Sequence, residues 1–305
     1  MKTRLALFWL VLMVSFSAAA KNSFQIIEVT RDADSGEGLV REFELHFTYD
    51  RRGNLVGALT DRDLNIDGTN DYRSVVTYTY DRRGNRLTAM SETVSSLEPR
   101  LDSRSEVTYT YDGEGRLVGA LAEADSDLDG VVDVITRATL TYDEDGNIVR
   151  RVIELDRNAD GVWENVTTFT RSYDAGGNLL TELRETDGDA NGTTDYIVRT
   201  SNTLDSQGNA VLSVTEFDYE ADGVIDGTGR RVSTYDAQGN VLSERTESYD
   251  AEGLLGGVSQ TTYAYVYDSD GNRTRVTAQY DFEADGFVDG TEITNYKYAR
   301  VKGSH

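Results

Sequence analysis

The chain has 305 residues, of which 54 are acidic and 30 basic, so its formal net charge is −24. This excess of negative charge argues against a nucleic-acid partner or an anionic lipid surface and favours cations as partners. The chain contains no cysteine, which excludes thiol chemistry and disulfide cross-links.

The first twenty residues are typical of a cleavable secretory signal peptide. Lys2 and Arg4 precede an apolar run at 5–16, and small residues precede the cleavage site expected after Ala20. The run is too short for a comfortable membrane span and no second run follows, so we expect no membrane span in the mature chain. Cleavage leaves 28 basic and 54 acidic residues, a net charge of −26. We therefore expect a secreted, cell-surface or periplasmic protein.

A motif of an aromatic residue, Asp, two variable residues, Gly and usually Asn recurs along the mature chain. Its copies are 31 residues apart six times and 32 apart once, and they begin at Tyr49, Tyr80, Tyr111, Tyr142, Tyr173, Leu204, Tyr235 and Tyr267. Such regular self-similarity indicates a repeat array. We assign 1–20 to the signal peptide, 21–48 to an N-terminal capping half-repeat, 49–300 to the array and 301–305 to a tail.

The residues before each motif alternate between apolar and polar, as in 43–49 and 107–111. This period of two, rich in Thr, Tyr and Val, predicts half-buried strands, and the Asp-x-x-Gly that follows predicts a tight hairpin turn. The sequence thus predicts an all-β antiparallel meander of about eight two-strand repeats. One face of such a sheet must be covered, so the sheet must spiral or close on itself. We expect a rolled or spiralling sheet, with a β-propeller as the alternative.

A second motif is a nine-residue acidic loop that alternates in phase with the first. Position 1 is Asp, positions 3, 5 and 9 carry side-chain oxygens, and position 6 is Gly. The six copies place these oxygens on Asp63, Asn65, Asp67 and Asp71; Asp125, Asp127, Asp129 and Asp133; Asp156, Asn158, Asp160 and Glu164; Asp187, Asp189, Asn191 and Asp195; Asp218, Glu220, Asp222 and Asp226; and Asp281, Glu283, Asp285 and Asp289.

Alternate carboxylates around a glycine bend form the first part of a calcium-loop signature. Position 7 would contribute its backbone carbonyl, at Thr69, Val131, Val162, Thr193, Val224 and Phe287. We predict about six Ca²⁺ sites. The simpler alternative is that Asp, Asn and Gly only make good turns, but turn chemistry does not require oxygens at all four positions.

The sequence allows two roles for the glutamates that precede four of the loops. The Glu two residues before a loop (Glu123, Glu154, Glu185 and Glu216) is either a further ligand or an exposed strand residue. In two repeats the segment at the position of the acidic loop, 94–102 and 249–254, lacks the full pattern, and we expect no comparable metal in either. We call these segments the irregular slots.

The stretch Tyr109-Thr110-Tyr111-Asp112, followed by Gly115-Arg116-Leu117, resembles the YD repeats of the RHS/teneurin family. That resemblance covers roughly residues 40–300 and implies β-hairpin sheets that spiral, in proteins of the cell surface. The acidic loops separately resemble the Asp-x-Asp-x-Asp-Gly turns of calcium-binding β-propeller and thrombospondin-type repeats.

Catalysis has little support in the sequence. The two histidines, His46 and His305, offer no triad or zinc site. We expect a non-enzymatic, exported, calcium-binding structural or interaction protein, in which Ca²⁺ stiffens a β scaffold that binds a glycan or a cell-surface protein. The alternative is a carbohydrate-active enzyme that uses a carboxylate pair on a calcium-stabilised scaffold.

Overall fold

A computed structural model describes residues 24–34, 39–63, 70–97 and 102–300. The predicted signal peptide and the tail at 301–305 lie outside these residues. Every regular element described is a strand, which confirms the all-β prediction. The strands are β1 Phe24–Asp34, β2 Leu39–Tyr49, β3 Leu55–Arg62, β4 Tyr72–Tyr80, β5 Arg86–Ser95, β6 Ser103–Tyr111, β7 Leu117–Asp125, β8 Val134–Tyr142, β9 Ile148–Asp156, β10 Asn165–Tyr173, β11 Leu179–Asp187, β12 Tyr196–Leu204, β13 Ala210–Asp218, β14 Gly227–Tyr235, β15 Val241–Asp250, β16 Leu255–Tyr267, β17 Arg273–Asp281 and β18 Gly290–Arg300.

The 18 strands form one closed antiparallel barrel. Each strand pairs with its neighbours in the chain, and β1 also pairs with β18, from Phe24 opposite Arg300 to Ala33 opposite Glu292. The expected spiral, and the propeller alternative, are therefore wrong. Pairing the first and last strands removes both open edges, whose unpaired backbone groups a spiral would leave exposed. The closing strand β1 belongs to the predicted N-terminal half-repeat. No helix in the described residues is long and apolar enough to cross a membrane.

Tight turns join the strands at one end of the barrel. At 143–147 the Asp143 carboxylate accepts hydrogen bonds from the backbone N–H (2.7 Å) and the side-chain amide (3.0 Å) of Asn147. Gly146 has a φ of +87°, a left-handed conformation that suits glycine, and the strand register shifts beside it. The tight hairpin turn predicted from the Asp-x-x-Gly motif is thus confirmed, and the motif Asp caps it.

Tyrosine hydroxyls link neighbouring hairpins near the tight turns. The Tyr142 hydroxyl donates to the Leu117 carbonyl at 2.7 Å, and the motif residues Tyr80, Tyr111, Tyr173 and Tyr235 make equivalent bonds. Tyr265 and Tyr298, which are not motif residues, make the same kind of bond. Where Leu204 replaces the tyrosine, the Asn202 side-chain amide donates to the Leu179 carbonyl instead, at 3.1 Å. The ladder therefore continues through the one repeat whose motif lacks a tyrosine.

The wall of the barrel has two faces of different accessibility. We call the face that carries Tyr78, Tyr109 and Tyr142 the tyrosine face, and the opposite one the threonine face. The buried apolar residues Ala89, Val107 and Ala278 lie on the tyrosine face, whereas Val75 and Leu121 on the threonine face are 43% and 39% exposed.

These three are the only buried apolar side chains in the described residues, and Val107 is still 9% exposed. A barrel of this strand number is too wide for side chains to fill. Its stability therefore depends on backbone ladders, cross-strand pairs and turns more than on a packed core.

Candidate metal centre

The acidic loops lie at the end of the barrel opposite the tight turns, because they connect the alternate strand pairs. Five of the six are fully described, at 125–133, 156–164, 187–195, 218–226 and 281–289. In the first loop, Asn65, Asp67 and Thr69 lie outside the described residues, while Asp63 and Asp71 are buried.

The five described loops share one backbone arrangement. The N–H of position 9 donates to the carbonyl of the residue before position 1 at 2.7–2.8 Å. The position-9 carboxylate accepts the N–H of position 2, as in Asp133 with Ser126 at 2.7 Å. The position-1 carboxylate accepts the N–H of the position-6 glycine, as in Asp125 with Gly130 at 2.8 Å. The acids at both ends thus hold the loop in shape through its own backbone.

Two positions in each loop adopt a left-handed backbone. The position-6 glycine has a φ near +90°, as the sequence predicts. Position 4 is also left-handed, with φ from +52° to +60°, and is occupied by Leu128, Ala159, Ala190, Ala221 and Ala284. Position 4 gives no signal in the sequence, because Ala and Leu rarely adopt this conformation.

The carboxylates converge in three consecutive loops. One ligand oxygen from each member lies within 4.8 Å of the others in the groups Asp125, Asp127 and Asp133; Asp156, Asp160 and Glu164; and Asp187, Asp189 and Asp195. In all three loops the position-3 side-chain oxygen accepts the N–H of position 5 at 3.2 Å. Position 3 supplies a carboxylate to the first and third groups, whereas the second group consists of positions 1, 5 and 9. We call these the converging loops.

The loops at 218–226 and 281–289 have glutamate at position 3 and do not form such a group among the described residues. The side chains of Glu220 and Glu283 are exposed, and neither accepts the N–H of position 5. Glutamate is one methylene longer than aspartate and does not close the short turn that Asp or Asn makes with the backbone. We call these two the glutamate loops.

Burial and charge differ among the position-1 acids. Asp156 is 1% exposed and Asp218 is fully buried, with the Arg199 guanidinium 3.6 Å from the Asp218 carboxylate. Burial raises the pKa of Asp125, but backbone N–H donors led by that of Gly130 lower it more, so its pKa lies below the usual value. Nothing in the sequence pattern marks Arg199 as the partner of a loop acid, because it lies 19 residues before Asp218 on a neighbouring strand.

The two irregular slots behave differently from the loops. Residues 250–254 fold as a tight turn of the Asp-x-x-Gly type, in which the Asp250 carboxylate accepts the N–H of Leu254 at 2.8 Å. In the slot at 94–102, Asp102 accepts the N–H of Ser95 at 2.7 Å, which is the contact that position 9 makes with position 2 elsewhere. The position-9 acid therefore has a backbone role even where the other loop acids are missing.

One of the four glutamates that precede the loops has a clear alternative role. Glu154 forms an ion pair with Arg137 on the neighbouring strand, and Arg137 also lies over the Trp163 ring at 4.7 Å. Glu154 is therefore held by the wall of the barrel rather than by the loop that follows it.

Comparison with known proteins gives only distant structural similarity. No protein-family model and no curated protein sequence matches the chain. The chain is similar to the crystal structure of a porin-like protein from Bacteroides uniformis, with a TM-score of 0.44 and 12% identity over 90% of this chain and 96% of that one. A porin-like protein from Bacteroides vulgatus gives a TM-score of 0.38 and 12% identity over 90% of this chain and 99% of that one.

A third similarity is to the crystal structure of TcdB2-TccC3-TEV, with a TM-score of 0.23 and 13% identity over 83% of this chain and 16% of that one. The evidence that the barrel is closed is the pairing of β1 with β18 in this chain, and it does not depend on these similarities.

Proposed function

We propose that this protein is an exported, non-enzymatic β scaffold whose acidic loops bind Ca²⁺. The observation that carries the proposal is the convergence of three carboxylates in each of three consecutive loops. Carboxylate and carbonyl oxygens in flexible geometry are the ligands that Ca²⁺ prefers, and the smaller Mg²⁺ retains more of its water.

The role proposed for Ca²⁺ is to stabilise the loop end of the barrel. The wall has little buried apolar surface, and each converging loop confines three acids within a few ångströms. Like charges at that separation oppose folding unless a cation offsets them. Bound Ca²⁺ would neutralise part of the charge and fix the loops, so that the loop edge becomes a rigid surface for a glycan or a cell-surface protein.

Ion pairs on both faces of the wall support an aqueous setting. Arg137 pairs with Glu154 on the threonine face, and Arg171 pairs with Glu182 on the tyrosine face, in each case within the strands rather than at their ends. Charged side chains at mid-strand are costly against lipid, at about 2–4 kcal/mol for Arg near the bilayer midplane. These pairs therefore count against a lipid-facing wall.

The titration of the acids gives no support to the enzyme alternative. A glycoside hydrolase needs a general acid whose pKa is raised. Every carboxylate in the described residues whose pKa is shifted has a lowered pKa, and that of Glu247 falls to about 2 because Arg245, Tyr249 and Arg230 donate to it.

The proposal is tested by calcium titration calorimetry on residues 21–305, with thermal melts in EGTA and in millimolar calcium. A variant with Asp127→Ala, Asp160→Ala and Asp189→Ala loses one carboxylate from each converging group. We expect wild type to bind calcium and to melt at a higher temperature in calcium, and the variant to bind three fewer ions.

The control is Asp145→Asn, which removes a charge at an exposed position in a tight turn at the other end. It should bind calcium as wild type does. Absence of heat and of a melting shift in wild type would reject the calcium role.

A further inference from the structure

Three arginines gather on the tyrosine face of β9, β10 and β11. Phe169 in β10 lies opposite Arg151 of β9 on one side and opposite Arg184 of β11 on the other. Arg171 lies two residues beyond Phe169 in the same strand and therefore on the same face. Adjacent strands are about 4.8 Å apart, so the backbones of Arg151 and Arg184 are separated by about 10 Å. We call these three residues the arginine cluster.

The cluster is not neutralised by its surroundings. Arg171 donates to the Glu182 carboxylate at 2.6 Å. Arg151 lies over the Phe169 ring at 4.3 Å and Arg184 over the Tyr196 ring at 5.5 Å. Neither Arg151 nor Arg184 makes a hydrogen bond or an ion pair with another described residue, and the Nε atom of each is buried without an acceptor. Three cations and one anion leave a local charge of +2 in a chain of net charge −24.

This arrangement is unfavourable unless something occupies it. Burial, followed by the charge of Arg171, lowers the pKa of Arg151, and the Glu182 carboxylate offsets this only in part. Guanidinium groups held by aromatic rings lose little further freedom when they bind a ligand, because their side chains are already ordered. A bound anion would accept hydrogen bonds from the unused donors of Arg151 and Arg184 and would offset the positive charge of the cluster.

We propose that the arginine cluster binds the oxyanion group of a small sugar acid, whose ring C–H groups pack against Phe169. Guanidinium groups bind carboxylate, phosphate and sulfate through paired hydrogen bonds, and their planes stack on rings. The site lies within the strands, since Arg151 is the fourth residue of β9 and Arg184 the sixth of β11. It is separate from the loop acids and does not rest on calcium binding.

The test measures binding of sodium sulfate, sodium glucuronate and glucose by titration calorimetry in millimolar calcium, at constant ionic strength. The variants are Arg151→Gln and Arg184→Gln. The matched control is Arg150→Gln, which removes the same charge from the neighbouring, exposed position on the threonine face. We expect glucuronate to bind wild type and Arg150→Gln equally, sulfate to bind more weakly, and glucose not to bind.

Each cluster variant should weaken glucuronate binding about tenfold, as expected for loss of one charge-assisted pair worth about 1.4 kcal/mol. Without anion, each variant loses the stacking of one guanidinium on an aromatic ring but also removes positive charge from a cluster of net charge +2, so both should remain folded and melt close to wild type. Equal glucuronate affinity in all four proteins, or glucose binding as tight as that of glucuronate, would overturn the proposal. Calcium binding should be unchanged in every variant, so failure here is distinct from failure of the calcium role.

Discussion

The converging loops and the glutamate loops share one backbone fold but direct their carboxylates differently. In both sets, position 9 binds the N–H of position 2 and position 1 binds the N–H of the glycine. Among the five fully described loops, the converging loops alone bring three acids within 4.8 Å, and they alone have Asp or Asn at position 3. The loop fold therefore does not by itself assemble a cluster of acids. The loops whose carboxylates converge are those in which the position-3 side chain accepts the N–H of position 5.

The glutamate loops also differ in what they expose. Tyr219 and Phe282 at position 2 are 57% and 63% exposed, and each stacks on an aromatic residue of the adjoining strand. Phe287 at position 7 is 76% exposed. These loops combine exposed rings with exposed acids, whereas the converging loop at 187–195 has Gly and Thr at positions 2 and 7.

The largest effect is expected when a buried position-1 acid is removed. Asp156 accepts backbone N–H groups of Gly161, Asn158 and Asp160. Asp156→Ala leaves these donors unpaired and should destabilise the protein by about 3 kcal/mol in calcium.

The matched substitution is Asp218→Ala in a glutamate loop. In EGTA, the two variants should lose similar free energies of unfolding. In calcium, Asp156→Ala should lose more than Asp218→Ala, because only the loop of Asp156 loses a calcium site. Urea denaturation in both buffers measures this. An equal calcium-dependent loss in the two variants would remove the distinction between the loops.

The next effect comes from exchanging the acids at position 3. Glu220→Asp together with Glu283→Asp should let both glutamate loops close the position-3 turn and raise their calcium affinity about tenfold, or about 1.4 kcal/mol. Asp127→Glu should weaken one converging loop by a similar factor. Calorimetric titration measures both changes, and unchanged affinities would show that position 3 does not control convergence.

A smaller effect is expected from a substitution at the end of the barrel that carries the tight turns. Tyr142→Phe removes the hydrogen bond to the Leu117 carbonyl and should cost about 1 kcal/mol. Because the tight turns lie at the opposite end from the loops, the loss should be the same in calcium and in EGTA when measured by urea denaturation. A loss that appeared only in calcium would couple the two ends and contradict this separation.

Relief of backbone strain should give a small gain. Ala159 at position 4 has a φ of +54°, so Ala159→Gly should stabilise the protein by about 0.5 kcal/mol, after the added freedom of glycine in the unfolded chain is offset. The control is Ala138→Gly within β8, where glycine should instead destabilise by about 0.5–1 kcal/mol. A loss of stability on Ala159→Gly, measured by urea denaturation, would contradict the strain.

The smallest effect concerns the carboxylate of a single tight turn, Asp143, at low pH. The Asn147 side-chain amide is the main cause that lowers the pKa of Asp143 below its usual value. Because the pKa of Asp143 is lower in the folded than in the unfolded protein, its ionised carboxylate stabilises the fold above the unfolded pKa of about 3.9. This stabilisation is lost as the pH falls through the folded pKa. Asp143→Asn should therefore reduce stability slightly at pH 7 and narrow the difference from wild type below about pH 4. Thermal melts across this range measure it, and a difference that grew in acid would refute the sign.

The repeat period and the turn chemistry made much of the fold predictable. Alternation before Tyr142 identified a strand, and Asp143 with Gly146 identified the turn that follows it. Closure was not predictable, because each repeat specifies only its own neighbours in the sheet. Whether β1 meets β18 depends on twist and strand number accumulated over the whole array.

The candidate site was predictable in its positions but not in its geometry. The spacing located the loop acids, since oxygens at positions 1, 3, 5 and 9 recur in phase. The pattern treats Asp127 and Glu220 alike, whereas the turn with the backbone separates them. The arginine cluster gave no sequence signal, because Arg151 and Arg184 are 33 residues apart and meet only through the register of three strands.

The most direct test of the calcium role is anomalous diffraction from crystals grown with limiting calcium. Anomalous peaks should appear first in the loops at 125–133, 156–164 and 187–195, between the three carboxylates of each group. Weaker peaks or none should appear at 218–226 and 281–289 under the same conditions. Equal peaks in all five loops would contradict the distinction between them, and no peak in any converging loop at saturating calcium would contradict the calcium role itself.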